Sequence, residues 1–213
     1  MDNILYLPVS LGEAIDKLTI LDIKCEKIKD GRQNEAKKEY NMLHEKLEEF
    51  IVKYKELYQC MKKINLIIWD QMDTLRDGNI NDISYTELCK KCIISNDIRF
   101  RIKNKINLVS NSILKEQKSY KLNRIIIELE SDENILSLFI KPIQHFSYIY
   151  DEIIINSTKN IDMIRNKFYY DDTIKYNIST DDLLFKQKFT MHDKNYTKDQ
   201  IYKIMNIVET ELI

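Results

Sequence analysis

Two groups of polar residues stand at spacings that could do chemistry. Glu13, Asp16 and Lys17 fall within about one turn of a single helical pattern, and Asn96, Asp97, Arg99, Lys103 and Asn107 fall on another. Face to face, these carboxylates, cations and amides would make a polar binding cluster. The same residues would also serve as a satisfied buried network that fixes helix register, and that reading is preferred. No complete catalytic motif accompanies them, so no residue is taken as catalytic and no cofactor is expected.

Three other features carry chemistry by residue type. Cys89-Lys90-Lys91-Cys92 is a C-x-x-C. A zinc site needs four ligands, no second pair exists, and His44, His145 and His192 are scattered. No metal is expected, and the cysteines read as thiols. The stretch 90–118 is basic, with Arg99 and Lys103, and Arg101 and Lys105, at i,i+4 spacing, a face that could meet phosphate. No aromatic or Gly-rich element interleaves these charges. Neutralisation by Glu45, Glu49, Glu56, Asp70 and Asp73 on an antiparallel helix is preferred, and nucleic acid is disfavoured as a partner. His145 is a base by type, but its helical pattern packs it between Ile143 and Tyr148.

The elements that must position these residues begin with a heptad seam. Apolar residues recur at Ala36, Tyr40, Leu43, Leu47, Phe50, Tyr54, Leu57, Met61, Ile64, Ile68, Met72 and Leu75, in steps of four and three with no Gly or Pro between them. This predicts one continuous helix over 33–76, about 65 Å long from the helical rise. Ser10 and Glu13 form a capping box for a preceding helix with Ile15, Leu18, Leu21, Cys25 and Ile28 inward, stopped at Asp30 and Gly31. Ser84 and Glu87 form a second box, starting a third helix with Cys92, Ile98, Ile102, Ile106 and Ile113 inward and ending near Lys118. Short loops make successive helices antiparallel, so 1–120 is predicted to be an α-helical hairpin within a three-helix, coiled-coil-like bundle.

Beyond Tyr120 the pattern alternates. Apolar runs at 124–129 and 152–156, with a third strand over 173–178, are separated by helices over 132–150 and 160–168. Pro142 bends the first of these or starts its second part. Thr197 caps a final helix. This predicts a small α/β domain, Rossmann-like with a parallel sheet, over 121–213.

The composition excludes several classes. With 33 basic and 34 acidic residues the net charge is -1, which gives no global drive toward nucleic acid or membrane. Three Gly and two Pro leave few tight turns, which argues against an all-β fold. No stretch is apolar enough to span a bilayer, and Met1-Asp2-Asn3 lacks a signal peptide's basic start, so a cytoplasmic protein is expected.

Pro8-Val9-Ser10-Leu11-Gly12-Glu13, with Asp16-Lys17, Thr19-Ile20-Leu21 and Lys24, resembles the opening block of an uncharacterised helical family, P-V-S-x-G-E-x-[IL]-D-K-[IL]-[TS]-I-L-x-I-K. Ile64-Asn65, Trp69, Asp73 and Arg76 resemble its middle block, with Met72 where members usually carry an acid. Asn96-Asp97, Arg99, Lys103, Asn107, Ser112, Glu116 and Lys118-Ser119-Tyr120 resemble its closing block, so the likeness runs over about 8–120. The family is a domain of unknown function often found near glycosyltransferases, which implies an association with glycan biosynthesis. Separately, 124–155 resembles the first βαβ unit of GT-B glycosyltransferases of the heptosyltransferase kind. That family places a Gly-bearing turn after its first strand, where backbone N–H groups meet an anion. Here the turn is Glu130-Ser131-Asp132-Glu133-Asn134, and 121–213 is too short for a second nucleotide-sugar domain. The α/β part is therefore expected not to transfer sugar.

The function expected from all this is a non-catalytic helical interaction or scaffold protein. It would join a protein partner, or a homo-oligomer, through the heptad helix. The alternatives are a glycosyltransferase-like enzyme or accessory subunit in polysaccharide assembly, and a phosphate or nucleic-acid binder acting through the basic third helix.

Overall fold

A computed structural model describes residues 5–118, 122–130, 137, 139–178 and 187–192. The chain divides into two compact units, Met1–Gln117 and Lys118–Ile213. The described residues are mostly helical, with a small parallel sheet.

The first unit holds α1 (Leu11–Lys27), α2 (Arg32–Lys53), α3 (Lys55–Asp77) and α4 (Asp82–Val109). The shortest of the four is the centre. α1 packs on α2, on α3 and on α4. It buries Gly12, Ile15, Asp16, Leu18, Thr19, Leu21 and Ile23, positions that cover far more of its surface than one stripe. Ser10 caps it by accepting from the Glu13 N–H at 3.1 Å.

The continuous helix predicted over 33–76 is interrupted. Tyr54, with φ −123° and ψ 44°, separates α2 from α3, although its own N–H still donates to the Phe50 carbonyl and its carbonyl accepts from Tyr58. Three physical causes converge there. A strict seven-residue repeat drifts about 20° per heptad on a straight helix, so a seam this long must supercoil or break. Ile51 and Val52 are β-branched, which weakens the last turn of α2. Tyr54 is also held from outside: its hydroxyl donates to the Val109 carbonyl at 3.3 Å and its ring tilts against Phe50 with centroids 4.8 Å apart. It thus supplies a partner to one of the open carbonyls at the end of α4.

α4 also differs from its predicted bounds. It starts at Asp82, because Asn81 accepts from the Ser84 N–H at 2.9 Å and is the cap. It ends at Val109 rather than near Lys118. Asn111 sits in the left-handed region with φ 52°, and the Ser112 N–H returns to the Asn107 carbonyl at 2.9 Å. That is a Schellman-type stop, with Asn in the place Gly usually takes. Ile113, predicted inward, is therefore 98% exposed.

The second unit contains β1 (Arg124–Glu130), α5 (Ile140–Ile149), β2 (Glu152–Asn156), α6 (Asp162–Lys167), β3 (Ile174–Tyr176) and β4 (Gln187–His192). All described pairings are parallel, in the order β3-β2-β1-β4. Register sets Ile125 beside Ile153 and Ile127 beside Ile155. Ile125, Ile127, Ile153 and Ile155 pack with Phe139, Ile143, Phe146, Ile164 and Phe168 in one core. Ile126 and Ile154 on the other face are buried too, as central parallel strands require. Pro142 is in the first turn of α5, where its missing N–H costs no hydrogen bond, so it starts the helix rather than bending it. β4 was not predicted: Phe189 and Met191 alternate, but no apolar run marks the strand. The predicted helical residues 132–136 and the helix predicted from Thr197 lie outside the described residues.

Glu152 binds three strands at the start of the sheet. It accepts from Arg124 Nε at 2.6 Å and pairs with Lys175. Burial pushes its carboxyl up, but hydrogen bonds from Lys175 and Arg124 outweigh burial and hold it below the ordinary value of 4.5. Because the folded value is depressed, this contribution is complete above pH 4.5 and is lost as pH falls through the folded value. Acid titration of the α/β unit's stability should therefore lose part of its slope below pH 4.5 in Glu152→Gln; an unchanged slope would show the carboxylate is not coupled to folding.

Candidate functional site

The N-terminus of α1 lies against α4, and this contact assembles most of the polar cluster. Gly12 makes the approach possible. A Cβ there would stand 2.5 Å from the Lys103 carbonyl oxygen and 2.8 Å from Asn107 Oδ1. No side chain fits. In exchange, the Gly12 N–H donates to Asn107 Oδ1 at 2.7 Å, and the Leu11 N–H to Ser112 Oγ at 3.3 Å. With the Glu13 N–H on Ser10 Oγ and the Ala14 N–H on the Ser10 carbonyl, the first turn of α1 has its donors engaged. It offers no free N–H group to an anion.

Asp16, 2% exposed, is the centre of the charged part. Its Oδ2 meets Arg99 Nη2 at 3.2 Å, and its Oδ1 accepts from Asn65 Nδ2 at 2.8 Å. Asn65 also donates to Thr19 Oγ1 at 2.9 Å, and Thr19 returns its proton to the Asp16 carbonyl. One step along α4, Lys103 Nζ lies 3.0 Å from Glu13 Oε2 and pairs with Glu116, which follows the Asn111 stop. Burial pulls the Lys103 ammonium down, but Glu116, Glu13 and Asp16 outweigh it, and its pKa stands above the ordinary lysine value. The ammonium is thus fixed as a charge. It is no proton donor near neutrality.

The structure therefore brings Glu13, Asp16, Arg99, Lys103 and Asn107 together. Lys17 points elsewhere and pairs with Glu39 on α2, while Glu13 pairs with Lys103. Asn96 is exposed and donates to the Cys92 carbonyl of its own helix, and Asp97 is half buried on α4 with interactions of its own. Asn65, Thr19, Ser112 and Glu116 belong to the group and were not singled out as site residues. Asn65, a polar residue directly after seam residue Ile64, was the available signal.

The counter-charges for α4 are also not those expected. Asp70 pairs with Lys27 and Asp73 with Arg76, while Arg99 and Lys103 find their acids on α1 and at Glu116. Arg101, Lys103 and Lys105 are buried, so one member of the Arg99–Lys103 pair and both members of the Arg101–Lys105 pair are withdrawn from solvent.

A second polar group at the α1–α3 contact was not foreseen. Tyr58 donates to Asp22 Oδ2 at 3.0 Å, and Lys62 bridges Asp22 at 2.8 Å and Glu26 at 2.7 Å. Burial first, then Asp22 and Tyr40, push the Tyr58 phenol far above its ordinary value, so it stays a hydrogen-bond donor.

Among the described residues, no group of three or more His, Cys, Asp and Glu is arranged to hold a metal ion, and no helix is long and apolar enough to cross a membrane. Compared with models of known families, with curated proteins and with solved structures, the chain matches none of them.

Proposed function

We propose that this is a non-catalytic helical interaction protein that binds a protein partner, or a second copy of itself, along α2. What carries the reading is the uneven cover of the heptad stretch. α3 packs against both α1 and α4, whereas α2 packs chiefly on α1 and buries only Ala36, Leu47 and Phe50 along its length. Tyr40 and Leu43 stay half buried and Met42 is 45% exposed. Leu21, Ile28, Ala36 and Met42 floor a groove of about 570 Å³ between α1 and α2. An amphipathic helix with a half-covered stripe is completed by another helix. In this reading the first unit is a coiled-coil-like bundle lacking one member, and the polar cluster fixes its register.

Light scattering of the full-length protein over a wide concentration range tests this, with a cross-linking experiment for a different partner. A mass above the monomer, or a specific cross-link, should be lost in Met42→Asp with Leu43→Asp while the circular dichroism spectrum is kept. A monomer that forms no cross-link through α2 would overturn the reading.

A second reading has one observation behind it. The order β3-β2-β1-β4 reverses direction between β1 and β4, and parallel sheets bind ligands beyond the strand ends at such a reversal. We infer a Rossmann-like layer there. With the family resemblances, this keeps open a glycosyltransferase-like accessory role in glycan assembly. Calorimetric titration with nucleotide sugars, with and without magnesium, separates the two. Saturable binding that is lost in His145→Ala would put the enzyme reading first. The nucleic-acid reading is weakened by the burial of Arg101, Lys103 and Lys105.

A further inference from the structure

The C-x-x-C of α4 meets a third sulfur that the sequence does not place beside it. Cys92 is buried, and its Sγ lies 3.8 Å from Sδ of Met72 on α3. Cys89 is half buried one turn earlier, and residues at i,i+3 share a helix face. We propose that Cys89, Cys92 and Met72 form a binding site for a soft monovalent cation, copper(I), that ties α3 to α4.

The donor set argues for the cation. Two thiolates and a thioether are soft ligands, the kind that select copper(I) over harder ions. Zinc would want a fourth ligand, and the described residues supply no group of three or more His, Cys, Asp and Glu. The distance argues for the geometry. Two sulfurs bound to one ion at about 2.3 Å stand roughly 3.8 Å apart in a tetrahedral arrangement and about 4.0 Å in a trigonal one. The Cys92 thiol donates to Met72 Sδ at 3.8 Å, a separation that two donors on one ion could keep. Cys89, three residues before Cys92 on the same helix, is the third donor in this proposal.

Charge balances as follows. Each thiol releases its proton to solvent as a sulfur–copper bond forms, and one copper(I) with two thiolates leaves a single negative charge. Lys90 and Lys91, between the cysteines, place two cations within one turn of it. Burial and then Cys89 push the Cys92 thiol up from its ordinary value.

The test is titration of reduced, full-length protein with copper(I), delivered as its acetonitrile complex under anaerobic conditions, against a chromogenic copper(I) chelator. One ion per chain is expected, with a rise in melting temperature. Affinity should fall by roughly a hundredfold in Cys89→Ser with Cys92→Ser, and about tenfold in Met72→Leu, which preserves volume. Cys25→Ser with Cys60→Ser should bind as the parent does. Retention of copper in the Cys89, Cys92 double variant, its loss in the Cys25, Cys60 variant, or full affinity in Met72→Leu would each overturn the proposal. So would an air-formed Cys89–Cys92 disulfide in a protein that cannot hold copper against the chelator, which would make the pair redox-active instead. Should the Cys89, Cys92 variant fail to fold, Met72→Leu decides.

Discussion

Gly12→Ala is expected to destabilise the helical unit by on the order of 3 kcal/mol, against the direction that helix propensity alone would give. In an isolated helix, Ala is favoured over Gly by about 1 kcal/mol. Here the added methyl would sit 2.5 Å from the Lys103 carbonyl oxygen, a backbone atom inside α4 that cannot rotate away. Relief requires the N-terminus of α1 to withdraw. Withdrawal stretches the Gly12 N–H···Asn107 and Leu11 N–H···Ser112 bonds and pulls Glu13 from Lys103. Overpacking of this kind costs about 1 to 3 kcal/mol, and leaving a buried amide pair unmatched costs a similar amount. Chemical denaturation followed by circular dichroism measures the sum. Equal or greater stability in the variant would mean that α1 and α4 do not approach this closely.

Asp16→Ala is the second large effect, expected at about 3 to 5 kcal/mol. The carboxylate is 2% exposed, and it receives the guanidinium of Arg99 and the amide of Asn65. Removing it leaves a half-buried cation without its acid and a buried amide with one partner fewer. Asp16→Asn keeps the shape and one acceptor, so it should cost less than Asp16→Ala. If Asp16→Asn were as stable as the parent, the charge on Asp16 would be irrelevant to the fold.

How much of this could be read beforehand depends on what each feature rests on. The Ser10 cap, the inward residues Ile15, Leu18 and Leu21, and the strand over 152–156 follow from local pattern, and the sequence carries them openly. The break at Tyr54 does not, because a hydroxyl reaching Val109 is a tertiary cause acting on a local pattern that reads as continuous. The early end of α4 turns on Asn111 adopting φ 52°, which Asn tolerates but does not announce. Gly12 reads as part of a cap. Its real constraint is the backbone of α4, far away in the chain.

The polar residues divide the same way. Charges placed mid-helix next to core positions, such as Asp16 and Lys103, stand out by type. Lys17 was grouped with them, but one residue is 100° around a helix, and it meets α2 instead. Glu116 reads as part of the helix running to Lys118, but that helix stops at Val109. The centrality of α1 was missed for a related reason. Its Asp16 and Thr19 look polar in sequence, yet they are buried and turn a third face of the helix into core.

The most direct test of the central claim, that the cluster is an internal network and not a binding site, is a double-mutant cycle on Asp16→Ala and Arg99→Ala. The readout is the unfolding free energy of the full-length protein. A network predicts that each single change is destabilising by more than about 1 kcal/mol, and that the double variant loses much less than the sum, with a coupling above about 1 kcal/mol. Residues kept for a ligand would give the opposite result: single variants within about 0.5 kcal/mol of the parent and additive effects.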